Sequence, residues 1–150
     1  MSGVNPDLAG REYPSDETYS VGREKIREFA RAVKATNPAH YDVDAARALG
    51  HADLVAPPTF AIVVAQRADA RLIGDPDAGI DFSRVVHADQ RFTHHRPIEA
   101  GDELRATLHV DQVRAMGGGA MITTRAEITD LDGQQVATTT SSILVRGEGQ

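Results

Sequence analysis

Pro57-Pro58-Thr59-Phe60-Ala61-Ile62-Val63-Val64-Ala65-Gln66-Arg67-Ala68-Asp69-Ala70-Arg71-Leu72-Ile73 carries the strongest structural signal in the chain. Two prolines fit the first turn of a helix, where a missing N–H costs little. From Phe60 to Ala65 the residues are apolar nearly all round, which predicts a helix over Pro57–Ile73 buried on most of its sides. Arg67, Asp69 and Arg71 mark a far end that reaches solvent, and Gly74-Asp75-Pro76 closes it. After this helix the period changes to alternation. Arg84–His94, Glu103–Arg114, Ala120–Thr129 and Gln135–Arg146 alternate or carry β-branched side chains, as strands do. Pro97 with Gly101-Asp102, then Gly117-Gly118-Gly119, then Asp132-Gly133 separate them, and the last two are hairpin signals. One buried helix followed by a meander of long strands is an α+β pattern: an antiparallel sheet wrapped around one long central helix. A sheet with a single helix in its palm has edges left to cover, so a dimer is expected.

Upstream, residues 1–18 read as an extended N-terminal arm with Pro6, Gly10 and Pro14, ending in a short strand near Tyr19–Val21. Arg23–Val33 carries Ile26, Phe29, Ala30 and Val33 at helical spacing, one apolar stripe on an amphipathic helix. It stops before Asn37-Pro38, because a residue preceding proline avoids helical angles. A second short helix is expected from Asp42 to Leu49, capped by Asp42 and stopped by Gly50. At 150 residues the whole chain suits one domain.

Composition narrows the class. With 41% hydrophobic and 25% charged residues the chain is ordinary for a globular protein, too apolar for disorder and without a membrane-length apolar run. The first ten residues lack a basic start followed by an apolar stretch, as a secretory signal would have. Cysteine is absent, which removes disulfides, zinc–thiolate clusters and thiol nucleophiles and fits a cytoplasmic protein. The net charge of −6, with scattered Lys and Arg, argues against nucleic-acid binding.

Few residues carry a chemical signal. Thr36-Asn37-Pro38-Ala39-His40 lies between helices, where a polar cluster can face a cleft, and His40 suits acid or base work near neutrality. The same five residues also read as a turn with a surface histidine. His94 and His95 are adjacent on a strand and so point to opposite faces, which argues against a shared metal, and no metal site is expected. His87 reads equally as a packing or a solvent-facing residue. Gly117–Gly119 lacks the following Lys-Ser/Thr of a phosphate loop, and no dinucleotide fingerprint or nucleophile elbow occurs, so no cofactor is expected.

Several motifs in order then suggest a family: residues 19–33, Ala46-Arg47-Ala48-Leu49-Gly50, Val55-Ala56-Pro57-Pro58-Thr59-Phe60, Val86-His87-Ala88-Asp89-Gln90-Arg91-Phe92 and His95-Arg96-Pro97-Ile98-Glu99-Ala100-Gly101-Asp102. From about Gly10 to Gly147 the chain resembles the MaoC-like N-terminal dehydratase family of actinobacteria. That family includes the UPF0336 proteins and accessory subunits of the mycolic-acid (3R)-hydroxyacyl-ACP dehydratase. The resemblance implies a hot-dog fold and reversible hydration of a trans-2-enoyl thioester. Catalytic members carry Asp-x-Asn-Pro-x-His and a His-Gly pair at the start of the central helix. The Asp and His activate water, and the Gly amide polarises the thioester carbonyl at the positive end of the helix.

The match is partial. Asn37, Pro38 and His40 agree, but Ala35 stands where the family has Asp, and Ala56-Pro57 where it has His-Gly. Alanine cannot take a proton and proline has no amide to offer. The resemblance therefore implies Asn37 and His40 as the remaining catalytic candidates and Pro57, Thr59, Phe60 and Val63 as substrate-binding ones. It implies an acyl-CoA or acyl-carrier-protein substrate, and a homodimer or a heterodimer with a catalytic MaoC-type hot-dog subunit. Three readings stay open: an acyl-binding half that needs such a partner, an acyl-binding protein without a reaction, and an active homodimer pairing His40 with Asp42, Asp44 or Asp53.

Overall fold

A computed structural model describes residues 3–147; the first two residues of the arm and residues 148–150 lie outside the described part. Two short strands, β1 (Glu12–Tyr13) and β2 (Tyr19–Ser20), precede helices α1 (Arg23–Ala32) and α2 (Val43–Ala48). The central helix α3 spans Ala61–Ile73, and four strands follow: β3 (Val85–His94), β4 (Glu103–Met116), β5 (Gly119–Thr129) and β6 (Gln135–Val145). All pairings are antiparallel, in the order β1-β4-β5-β6-β3, with β2 also on β4. Met116 opposes Gly119 across a two-residue turn in which Gly117 and Gly118 both have positive φ, the geometry that a tight hairpin needs. Among the described residues β3 pairs only with β6, which leaves its other side as an edge ten residues long.

Alternation places the inward residues of the sheet against α3. Along β5 every second residue from Ala120 to Ile128 is buried, and on β4 the buried set is Leu104, Ala106, Leu108 and Val110. α3 answers with Ala61, Val64, Ala65, Ala68 and Leu72, so small residues let the helix sit close to the palm. Phe60 is fully buried ahead of α3 and meets Phe29 of α1 edge-to-face at 5.4 Å. Burying one such side chain stabilises by about 2–3 kcal/mol.

Four expectations need correction. The central helix does not begin at Pro57: Pro58–Phe60 form a 3-10 turn, because Pro58 holds Pro57 extended (ψ 154°) and neither proline offers an amide. The stripe on α1 ends at Ala30, since Val33 is the exposed cap residue. The arm is not simply extended. Leu8, in a 3-10 turn over Pro6–Leu8, is fully buried, and Gly10 and Arg11 exchange backbone hydrogen bonds with Val110. Lastly, Asp69 and Arg71 reach solvent only in part; both are half-buried, Arg71 donating to the carbonyls of Pro14 and Ala106, while Arg67 is exposed. Among the described residues no helix is long and apolar enough to cross a membrane.

Candidate functional site

Three segments meet at the N-terminal end of α3. The first is Asn37–His40, where the Asn37 side-chain oxygen accepts the Ala39 N–H at 3.0 Å and so starts a 3-10 turn over Pro38–His40. The second is Leu54–Pro57, joined to that turn by Val55 N–H to Ala39 carbonyl at 3.2 Å. The third is Arg96–Ala100: the Ile98 carbonyl takes the Ala56 N–H at 2.8 Å, and Val55 bridges Glu99. Nearby, His51 Nδ1 lies 3.0 Å from Glu99 Oε2 and ties the second segment to the third.

These segments line an open cavity of about 550 Å³, walled by Asn37, His40, Val55, Ala56, Pro57, Pro58, His94, His95, Arg96, Pro97 and Ile98. That size suits a small-molecule ligand. His40 is 8% exposed, and its Nδ1 lies 2.7 Å from the Val55 carbonyl oxygen. A carbonyl can only accept, so Nδ1 donates to it, and Nε2 is the ring nitrogen left without a protein partner among the described residues. No carboxylate is bonded to this imidazole among the described residues. Asp42 caps α2 by accepting the Asp44 N–H, and Asp44 is exposed. Asp53 is gripped by Arg23 through two hydrogen bonds of 3.0 and 2.8 Å, and that guanidinium lowers its pKa to about 2.

The amides of the wall segment leading into α3 are equally committed, Val55 N–H to the Ala39 carbonyl among them. Ala56 N–H is spent on Ile98, Pro57 and Pro58 have none, and Phe60 N–H bonds the Pro57 carbonyl. Of the other residues singled out in the sequence, Pro57 lies on the wall with Asn37 and His40. Thr59 is exposed beside it, whereas Phe60 is core and Val63 packs half-buried against that core. Sequence reasoning missed His94, His95 and Arg96 as wall residues. Alternation stops at His94, and the amides of His95 and Arg96 both turn to the Val136 carbonyl, at 2.9 and 3.3 Å. Both histidines border the cavity while still diverging, His94 stacking on Phe92 and His95 Nε2 lying 3.3 Å from Thr138 Oγ1 on the other face of the sheet. Among the described residues no three His, Asp or Glu side chains are disposed to hold a metal ion.

Comparison with known proteins agrees with this architecture. The family described as "FAS1-like, dehydratase domain region" matches residues 7–139. A UPF0336 protein of Leifsonia xyli subsp. xyli is 56% identical over 148 residues, covering 99% of both chains. Among solved structures, a chain of the C-terminally truncated HadBC (3R-hydroxyacyl-ACP dehydratase) complex from Mycobacterium tuberculosis superposes with a TM-score of 0.84 at 36% identity. The match covers 92% of this chain and 97% of that one. A MaoC-like dehydratase superposes with a TM-score of 0.85 at 35% identity, over 94% of this chain but 43% of that one. With its sheet closed around α3 and its similarity running nearly end to end, the chain belongs to the FAS1-like dehydratase-region family, among the MaoC-like hot-dog proteins.

Proposed function

We propose that this chain is the acyl-binding half of a (3R)-hydroxyacyl-thioester dehydratase or enoyl hydratase, and that a second hot-dog subunit supplies the catalytic groups it lacks. One observation carries the reading: the His40 imidazole is braced by a carbonyl rather than a carboxylate, in a cavity whose Val55–Pro58 wall offers only amides that are absent or already bonded. Adding water to a trans-2-enoyl thioester needs a base for the water, a proton for the α-carbon and a donor for the developing enolate oxygen. His40 alone offers one proton-transfer site. Loss of a single oxyanion donor costs on the order of a hundred- to a thousand-fold in rate.

The apolar part of the wall, Val55, Ala56, Pro57, Pro58, Pro97 and Ile98, is suited to an acyl group and its thioester. The substrate is then acyl-CoA or an acyl carrier protein, and no cofactor enters the reaction. Two similarities support pairing. A subunit of a hydroxyacyl-ACP dehydratase complex has this fold at 36% identity, and the MaoC-like dehydratase chain extends well beyond the matched part. The test is crotonyl-CoA hydration by the purified chain and by the chain co-expressed with a hot-dog subunit bearing the complete Asp…His and His-Gly motifs. The chain alone should run at least about a hundredfold slower than the pair. Full activity of the chain alone, abolished by His40→Ala, would refute the division of labour.

A further inference from the structure

The cavity at the head of α3 is charged unlike the rest of the chain. The protein carries a net charge of −6. Yet the ionisable side chains on the cavity wall are His40, His94, His95 and Arg96, and no carboxylate stands among the wall residues. The carboxylates that act on Arg96 are Asp102, Asp130 and Glu99, and each already has partners. Asp102 Oδ2 accepts Arg96 Nη1 at 2.9 Å and the Glu99 N–H at 2.8 Å. Glu99 Oε2 lies 3.0 Å from His51 Nδ1, and Asp130 Oδ1 accepts the amides of Asp132 and Gln134.

Arg96 is held in place by one end of its guanidinium only. Nη1 donates to the Pro97 carbonyl at 3.0 Å and to Asp102, and the side chain is half-buried. The Nε–Nη2 edge has no protein partner among the described residues. That edge is the one that grips a planar or tetrahedral oxyanion with two parallel bonds. Two residues back, the exposed His94 ring stacks on Phe92 at 6.3 Å, with neither of its nitrogens hydrogen-bonded among the described residues. His95 turns its ring to Thr138 instead. Apart from Asn37 and His40, the rest of the wall is apolar.

We propose that Arg96, with His94 on the same wall, anchors the phosphate at the end of a pantetheine arm. The chain then reads the carrier of the acyl group as well as the acyl group itself. The inference rests on the acyl-binding reading above and assigns the basic corner of the same cavity. Both thioester sources in that reading, CoA and an acyl carrier protein, join their pantetheine through a phosphate. Asp102 offsets part of the guanidinium charge, so the anion is recognised by two direct bonds at close range and not by long-range attraction. Because Asp102 and the Pro97 carbonyl fix the guanidinium beforehand, little side-chain freedom is lost when the phosphate arrives. The absence of wall carboxylates removes the repulsion that an anion would otherwise meet.

Isothermal titration calorimetry of the full chain with butyryl-pantetheine and with butyryl-phosphopantetheine, which differ by a single phosphate, tests this. The phosphorylated compound should bind at least about tenfold more tightly. Arg96→Gln should remove that difference and leave the affinity for butyryl-pantetheine unchanged, with circular dichroism confirming the fold; His94→Gln should reduce the difference in part. An Arg96 that only braces Asp102 would instead lower both affinities together, which overturns the anchor. The wild-type comparison decides even if Arg96→Gln does not fold. Equal wild-type affinities overturn this inference and leave the acyl-binding reading intact, as does an Arg96→Gln chain that keeps the full difference. A chain that needs the phosphate yet hydrates crotonyl-CoA fully on its own keeps the anchor and overturns the division of labour. Between butyryl-CoA and a butyryl-loaded acyl carrier protein, the one that loses more affinity in Arg96→Gln is the source of the phosphate, and a loss in neither overturns the anchor.

Discussion

Asp53 and Asp69 are two carboxyl groups driven in opposite directions by their surroundings. At Asp53 the Arg23 guanidinium favours the charged form and the pKa falls to about 2. Its contribution to stability is therefore present above the ordinary carboxylate range and lost as pH falls through about 2. At Asp69 burial favours the neutral form and the pKa rises from 3.8 to about 6. The sign reverses: the contribution is full below 3.8 and is lost as pH rises through about 6. Asp69→Asn should therefore stabilise the isolated chain by about 2 kcal/mol near pH 8 and by almost nothing near pH 4. Urea midpoints at low protein concentration read this directly, and an equal effect at both pH values would refute the burial argument. His40 was visible in the sequence because Asn37-Pro38-Ala39-His40 is a compact motif. Asp69 was not, because a charged residue late in a helix reads as solvent-facing until its neighbours across the sheet are known.

The helices and strands were largely legible, since periodicity reports burial and burial selects the element. What failed were the ends. α1 closes with Ala35 N–H bonding the Ala30 carbonyl and Lys34 N–H bonding that of Arg31, a pattern that requires a left-handed residue between. Glycine usually fills that place; here Lys34 has φ 59°. Replacing it with glycine should raise stability by about 0.5–1 kcal/mol, the backbone relief exceeding the added freedom of the unfolded chain. A thermal melt is sufficient to check this, and a loss of stability would mean that Lys34 earns its place through its side chain. The double proline at the head of α3 likewise read as a first helical turn. It instead forms a 3-10 lead-in, because Pro57 is held extended by its neighbour, and neither proline gives the cavity wall an amide.

At the scale of the molecule the N-terminal arm acts as a strap across α3 and β4. Leu8 anchors it in the core, Tyr13 donates to Asp75 at 2.7 Å, and Arg67 and Arg71 hold Glu17 and the Pro14 carbonyl. Beneath it lie Val64, Ala68, Leu104 and Ala106. Deleting the residues up to Ser20 should expose this apolar wall and lower stability by at least about 2 kcal/mol, the burial of Leu8 alone. A lower melting temperature with increased binding of a hydrophobic dye is the expected outcome; an unchanged melt would make the strap dispensable. The sequence by itself determined the element order, the apolar face of each strand, and the absence of an acid at residue 35 and of an amide at residue 57, because these follow from local periodicity and side-chain chemistry. Only the tertiary structure decided that His40 leans on the Val55 carbonyl, that His94 and His95 share a wall, and that Asp69 is drawn beside Thr124. Those outcomes depend on which distant segments the sheet and central helix bring together, and one-dimensional spacing does not encode the low-dielectric neighbourhood that results.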